Sequence, residues 1–191
     1  MDESDFRRFT KSLPQNPHPV ILRNLIKSFS VELLATCSVD LTKMLQKVYG
    51  EQKYPLYKMM LSRLTNIRFP QSKELIILSW TDIHEIAELR TFLDLLAPFV
   101  EIIFRNVEGP AKNQFFSLIL EKFNALFSEF RNPKEQDFFS RFEEFLIALL
   151  QNTESANEIL TIEPFLQIIS YFPRKIKVQI CSKVTARFLD R

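Results

Sequence analysis

Two histidines and two cysteines are the natural carriers of metal or nucleophilic chemistry in this 191-residue chain. His18 stands in the run Asn16, Pro17, His18, Pro19, a loop leading into a helix, and His84 falls in the first turn expected after Thr81. Neither has a Cys, His or Asp at a spacing that closes a metal shell. Surface or capping roles account for both. Cys37 and Cys181 match no redox or zinc spacing, which points to two reduced thiols. A serine or cysteine nucleophile needs a base and an orienting group, and no local motif supplies them. Phosphate-cradling loops need clustered glycines, whereas this chain holds only Gly50 and Gly109. Adjacent carboxylates such as Glu143 and Glu144 could perform acid–base work, but on an amphipathic helix they form a solvated face. The expectation is a chain with no catalytic, cofactor-binding or metal-binding residues, no cofactor, and no enzymatic activity.

Basic residues pose the next question. The segment from Pro173 onward carries Arg174, Lys175, Lys177, Lys183, Arg187 and Arg191 against Asp190 alone. A phosphate-tracking surface would gather these into one stripe. With about 100° between successive helical residues, Lys183, Arg187 and Arg191 share an edge while the other three point elsewhere. The net charge of the whole chain is only +2. Nucleic acid is therefore not an expected partner. The opening residues Met1, Asp2, Glu3, Ser4 and Asp5 lack the apolar run of a secretory signal. No stretch approaches the ~20 apolar residues of a membrane span; the greasiest, 92–104, contains Asp94 and Glu101. A cytoplasmic or nuclear protein with no membrane partner is expected.

The elements that position these residues are legible from composition and period. Sheet-rich folds use glycine wherever a tight turn needs positive φ. An average chain of this length would hold about 13 glycines; this one has 2, against 19 phenylalanines. An all-α fold follows. From Pro19, Leu22, Leu25, Ile26, Phe29 and Leu33 keep helical spacing. A second helix is expected after Ser38 as N-cap, through Leu41, Met44, Leu45 and Val48, with Gly50 as its stop. Pro55 opens a third, with Leu56, Met60, Leu64 and Ile67 on one face and Pro70 as its close. Residues 72–79 fit a short helix or turn better than a strand. A long helix is expected over 81–107, kinked or divided by Pro98, with Trp80 at its start either as a joint between repeats or as an interface hot spot, the structural role being preferred. Pro110 opens the clearest pattern: Phe116, Ile119, Leu120, Phe123, Leu126, Phe127 and Phe130. Asn132, Pro133 and Glu135 resemble a capping box for a helix running through Phe138, Phe142 and Phe145. Shorter helices are expected over 155–160 and 164–172, and a last one after Pro173.

Consecutive amphipathic helices on short connections build either a bundle or a stacked-pair solenoid. Pro19, Pro55, Pro98, Pro133 and Pro173 recur every 35 to 43 residues, near the ~40–47 residue period of HEAT and armadillo repeats. Residues 1–191 are accordingly expected to form one helical-repeat domain, with 1–15 as a loosely packed N-terminal segment.

In order along the chain, several segments resemble the B-prime class of regulatory subunits of protein phosphatase 2A. The family's Tyr-Pro run, helix and following proline are similar to Tyr54, Pro55 and Pro70. Its Trp-x-x-Leu-x-x-Val-x-Glu-Phe motif resembles Trp80, Ile83, Ile86, Glu88 and Leu89. Its Leu-Phe followed by Asp-Pro-Arg-Glu-Arg-Asp-Phe-Leu resembles Leu126 and Phe127, then Asn132, Pro133, Lys134, Glu135, Gln136, Asp137, Phe138 and Phe139. A later helix pair is similar to Ala156, Asn157, Glu158, Ile159 and Leu160 and the turn near Pro173. The resemblance covers roughly residues 50–190, about the first half of the family's array. It implies a superhelix of HEAT-like repeats that docks on the phosphatase scaffold and catalytic subunits and selects substrates. The family grips acidic Leu-x-x-Ile-x-Glu peptides through a basic pair. At the corresponding place this sequence carries Glu143 and Glu144, which would repel such a peptide, so that pocket is not transferred. The function expected is a non-catalytic protein-binding adaptor. A helical scaffold in an unrelated complex is the alternative, and a nucleic-acid-binding repeat a more distant one.

Overall fold

The structure is a computed structural model describing residues 5, 6, 8, 17–108, 110–129, 145 and 174–189. Seven helices and one 3-10 turn are bounded among the described residues, residues 5, 6, 8 and 145 are also helical, and no strand occurs there. The all-α expectation holds for them.

Helix α1, Pro19–Ser28, begins where Pro19 costs no hydrogen bond and the His18 ring accepts from the Val20 N–H at 3.3 Å. It stops earlier than its apolar spacing suggests. Phe29 is extended, and Ser30 turns its hydroxyl to accept from the Leu33 N–H at 3.2 Å. That bond makes Ser30, not Ser38, the N-cap of α2, Val31–Leu45. Ser38 lies inside α2 instead, buried, donating back to the Ala35 carbonyl at 2.7 Å. Gly50 comes after α2 has already ended in a turn. Its φ of 68° is the left-handed conformation that glycine alone adopts without strain, and it opens the 3-10 turn Gly50–Gln52.

Helix α3, Lys53–Leu64, carries Pro55 in its first turn, and Leu56, Met60 and Leu64 are buried as the spacing predicts. Residues 72–79 belong to a full helix, α4, Ser72–His84, with Leu75, Ile76, Ser79 and Ile83 buried at helical intervals. The long helix expected over 81–107 is divided at 85–88, not at Pro98. Pro98 sits inside α5, Leu89–Asn106, flanked by buried Leu95, Leu96, Phe99 and Val100. The interior proline costs about 3 kcal/mol in an isolated helix; here the burial of its neighbours holds the helix through it. Helix α6 is Pro110–Glu129 and α7 is Arg174–Leu189. The capping box at 132–135, the helices expected over 155–160 and 164–172, and Glu143 and Glu144 lie outside the described residues.

Packing follows chain order. Helix α3 lies between α1 and α5, α2 packs on α3 and α4, and α5 packs on α4 and α6. The odd helices α1, α3 and α5 thus form one row, and α2 with α4 a second row against it. Between the rows runs a core that includes Leu22, Leu34, Tyr57, Leu61, Phe92 and Phe99. Polar contacts pin neighbours within each row. Arg63 of α3 donates to the carbonyls of Ile26 and, at 2.6 Å, Phe29, closing the end of α1. Gln46 of α2 donates to the Leu78 carbonyl of α4 at 3.1 Å, and Lys58 of α3 pairs with Asp94 of α5 at 3.2 Å. Phe6 joins the same core, its ring edge-on to Phe29 at 5.4 Å.

Candidate functional site

The histidines and cysteines singled out by type are dispersed. His18 caps α1. His84 is the last residue of α4, not part of a first turn, and its ring meets Trp80 edge-on at 5.7 Å. Cys37 is buried in α2 and Cys181 exposed on α7. No group of three His, Cys, Asp or Glu placed to hold a metal occurs among the described residues. Trp80 lies near the end of α4 and not at the start of a helix. Its ring stacks on Phe99 of α5 at 5.9 Å, with 12° between the planes, so it does join two consecutive helices. Helix α7 carries Arg174, Lys175, Lys177, Lys183 and Arg187 of the basic segment, with Lys177 half-buried and Arg174 exposed; Arg191 lies outside the described residues.

The most buried charged group among the described residues was not foreseen. Lys53 and Tyr57 are four apart on α3 and therefore share a face. Asp82 of α4 takes both: Oδ1 accepts from Lys53 Nζ and Oδ2 from the Tyr57 hydroxyl, each at 2.5 Å. The Asp82 and Lys53 side chains are only 8% and 12% exposed. Burial pushes the Tyr57 phenol far above its ordinary value, and the hydrogen bond and charge of Asp82 push it the same way. Tyr54, whose ring lies 5.6 Å from Lys53 Nζ, is also raised by burial, with Lys53 opposing. Both Asp82 oxygens are occupied and the Tyr57 phenol stays neutral, so the cluster offers a substrate no ready base or nucleophile. It acts as a clamp between α3 and α4. The signal in the sequence was a carboxylate on the apolar face of α4, one turn after buried Ser79.

A second site opens at the start of α4. There a groove of about 460 Å³ is walled by Arg68 and the loop before α4, by Ser72 and Lys73, and by Arg105, Asn106 and Glu108. Asn106 fixes the geometry. Its Oδ1 accepts from the Phe69 N–H at 3.2 Å, and its Nδ2 donates to the Ile102 carbonyl at 3.0 Å. The loop between α3 and α4 is thereby tied to the end of α5. Gln71, the N-cap of α4, offers no side-chain hydrogen bond to the helix, so the positive end of the helix dipole faces the groove without a side-chain cap. Arg68 and Glu108 approach to 3.9 Å, both highly exposed, a separation too long for a strong hydrogen bond. This groove also escaped the sequence reading, because Arg68, Lys73 and Arg105 come from three segments that only folding brings together.

The residues behind the phosphatase resemblance are mostly structural within the described part. Ile83, Ile86 and Leu89 are buried, Trp80 bridges α4 and α5, and Glu88 accepts from the Thr91 hydroxyl at 2.7 Å at the start of α5. The stretch 132–139 lies outside the described residues. No described helix is long and apolar enough to cross a membrane. Comparison with protein-family models, curated proteins and solved structures finds no match to this chain.

Proposed function

We propose that this protein is a non-catalytic, protein-binding adaptor built as a HEAT-like α-solenoid, of the kind the B-prime regulatory subunits of protein phosphatase 2A exemplify. The observation that carries the reading is the order of packing: α1 to α6 make their substantial contacts with neighbours one or two places along the chain. Quasi-one-dimensional stacking of that kind buries a continuous spine and leaves long outer faces free for partners. The two-row arrangement supports helix pairs as the repeating unit. Tyr49, 96% exposed at the bend before α3, has the side-chain type enriched in interface hot spots.

The experiment is calorimetric titration of the purified chain against the purified scaffold and catalytic subunits of protein phosphatase 2A. Stoichiometric binding at about 1 μM or tighter is expected. Absence of heat with both subunits would remove the phosphatase partnership and leave a helical scaffold of some other complex.

A further inference from the structure

We propose that the groove at the start of α4 receives a phosphorylated serine or threonine side chain of a partner protein. This deepens the adaptor reading and rests on it for the nature of the partner. Four observations converge. The cavity, about 460 Å³, has Arg68, Lys73 and Arg105 on its walls. Neither Lys73 nor Arg105 has an ion-pair partner among the described residues, and the Arg68 contact with Glu108 is long. The N-terminus of α4 lacks a side-chain cap, and the Ser72 N–H bonds the Phe69 carbonyl at 3.2 Å. An oxyanion there would accept from the next backbone N–H groups of the turn, whose Glu74 carboxylate is paired with Lys43 of α2 at 3.2 Å. Ser72 is 4% exposed yet lines the groove.

The donors come from the loop before α4, the first turn of α4 and the last turn of α5. A phosphoryl group presents three oxygens in divergent directions and carries nearly two charges, which suits donors arriving from three sides. A planar carboxylate presents two oxygens in one plane. A nucleic-acid backbone would need cations continuing beyond the groove, whereas Glu108 stands at its rim.

The test uses the full chain and a degenerate peptide library with a fixed central phosphoserine or phosphothreonine, read by fluorescence polarisation. The unphosphorylated library, inorganic phosphate and single-stranded RNA are the competitors. Binding of the phosphorylated library is expected to exceed that of the unphosphorylated one by about tenfold or more, the effect of a few charge-assisted hydrogen bonds. It should strengthen as pH rises through about 6, where the phosphate gains its second charge, and weaken with salt. Lys73→Glu reverses one groove charge while placing an acid in the first turn of α4, a position that favours the helix, so the variant should fold. It and Arg105→Gln should each reduce binding several-fold with unchanged circular dichroism.

Equal binding of both libraries, or unaltered binding in both variants, would overturn the proposal. So would inorganic phosphate competing as well as the peptide, or RNA binding more tightly than it. Scaffold binding measured on the same proteins separates the two readings. A chain that binds scaffold but no phosphopeptide loses only this site; one that binds phosphopeptide but no scaffold loses only the phosphatase partner.

Discussion

Asp82 stands in a place where a carboxylate is expensive, and Lys53 and Tyr57 together offset that expense. Removing one member of such a set costs more than forming it gains, because the remaining charge stays buried. Asp82→Asn is expected to lower the unfolding free energy by about 3 kcal/mol, measured by urea denaturation; a loss no larger than that of an exposed surface substitution would place the cluster in water. Tyr57 adds a pH dependence of definite sign. Its folded-state pKa is raised well above the ordinary phenol value of about 10. Between about 10 and that higher value the unfolded chain loses the phenolic proton while the folded chain keeps it, so stability falls as pH rises. The contribution is complete below about 10 and is lost progressively above it. In Tyr57→Phe the alkaline limb of the stability curve should be shallower than in the unsubstituted chain. Parallel limbs would mean that Tyr57 titrates normally.

At the level of single helices, the competing serines Ser30 and Ser38 decide where α2 starts. Ser30→Ala removes a cap and should cost about 1 kcal/mol, whereas Ser38→Ala exchanges a back-bonded interior serine for the best helix former and should change stability by under ~0.5 kcal/mol. Thermal denaturation of the two variants checks this, and the reverse order would move the helix start. The comparison also locates what the sequence could convey. Apolar periodicity found α6 over its described residues and most of α3, which ends at Leu64, so that Ile67, expected on its face, lies outside the helix and is half-buried. It misjudged the end of α1 because Phe29 is buried whether or not the helix continues, and what stops the helix is the Ser30 hydroxyl together with Arg63, 34 residues away from Phe29. Pro98 misled for a related reason, since local propensity disfavours a helix that packing on α3, α4 and α6 sustains. Neither polar site could be located by motif. Asp82 finds its partners 25 and 29 residues back along the chain, and the groove cations are assembled from separate segments.

Across the whole molecule, the proposed solenoid and a closed bundle differ in how damage spreads. In a closed bundle each helix touches a shared centre, so a core lesion weakens all of it together. In a linear array stability is a sum of units and interfaces, and a lesion is felt by its neighbours. Phe123 is a suitable place to strike. It is fully buried in α6 and stacks on Phe127 at 5.8 Å and on Phe145 at 6.3 Å, while the substantial packing of α6 on the other described helices is with α5 alone. Phe123→Ala is expected to cost about 3–5 kcal/mol locally. Native-state hydrogen exchange should then show reduced protection in α6 and the adjoining part of α5, with α1, α2 and α3 close to unchanged. Uniform loss of protection from α1 to α6 would instead require one cooperative core, and the linear array would have to be abandoned for a bundle. If protection falls only at α6, the row formed by α1, α3 and α5 is stable enough to hold the α4 groove without it, and phosphopeptide binding should persist in the same variant.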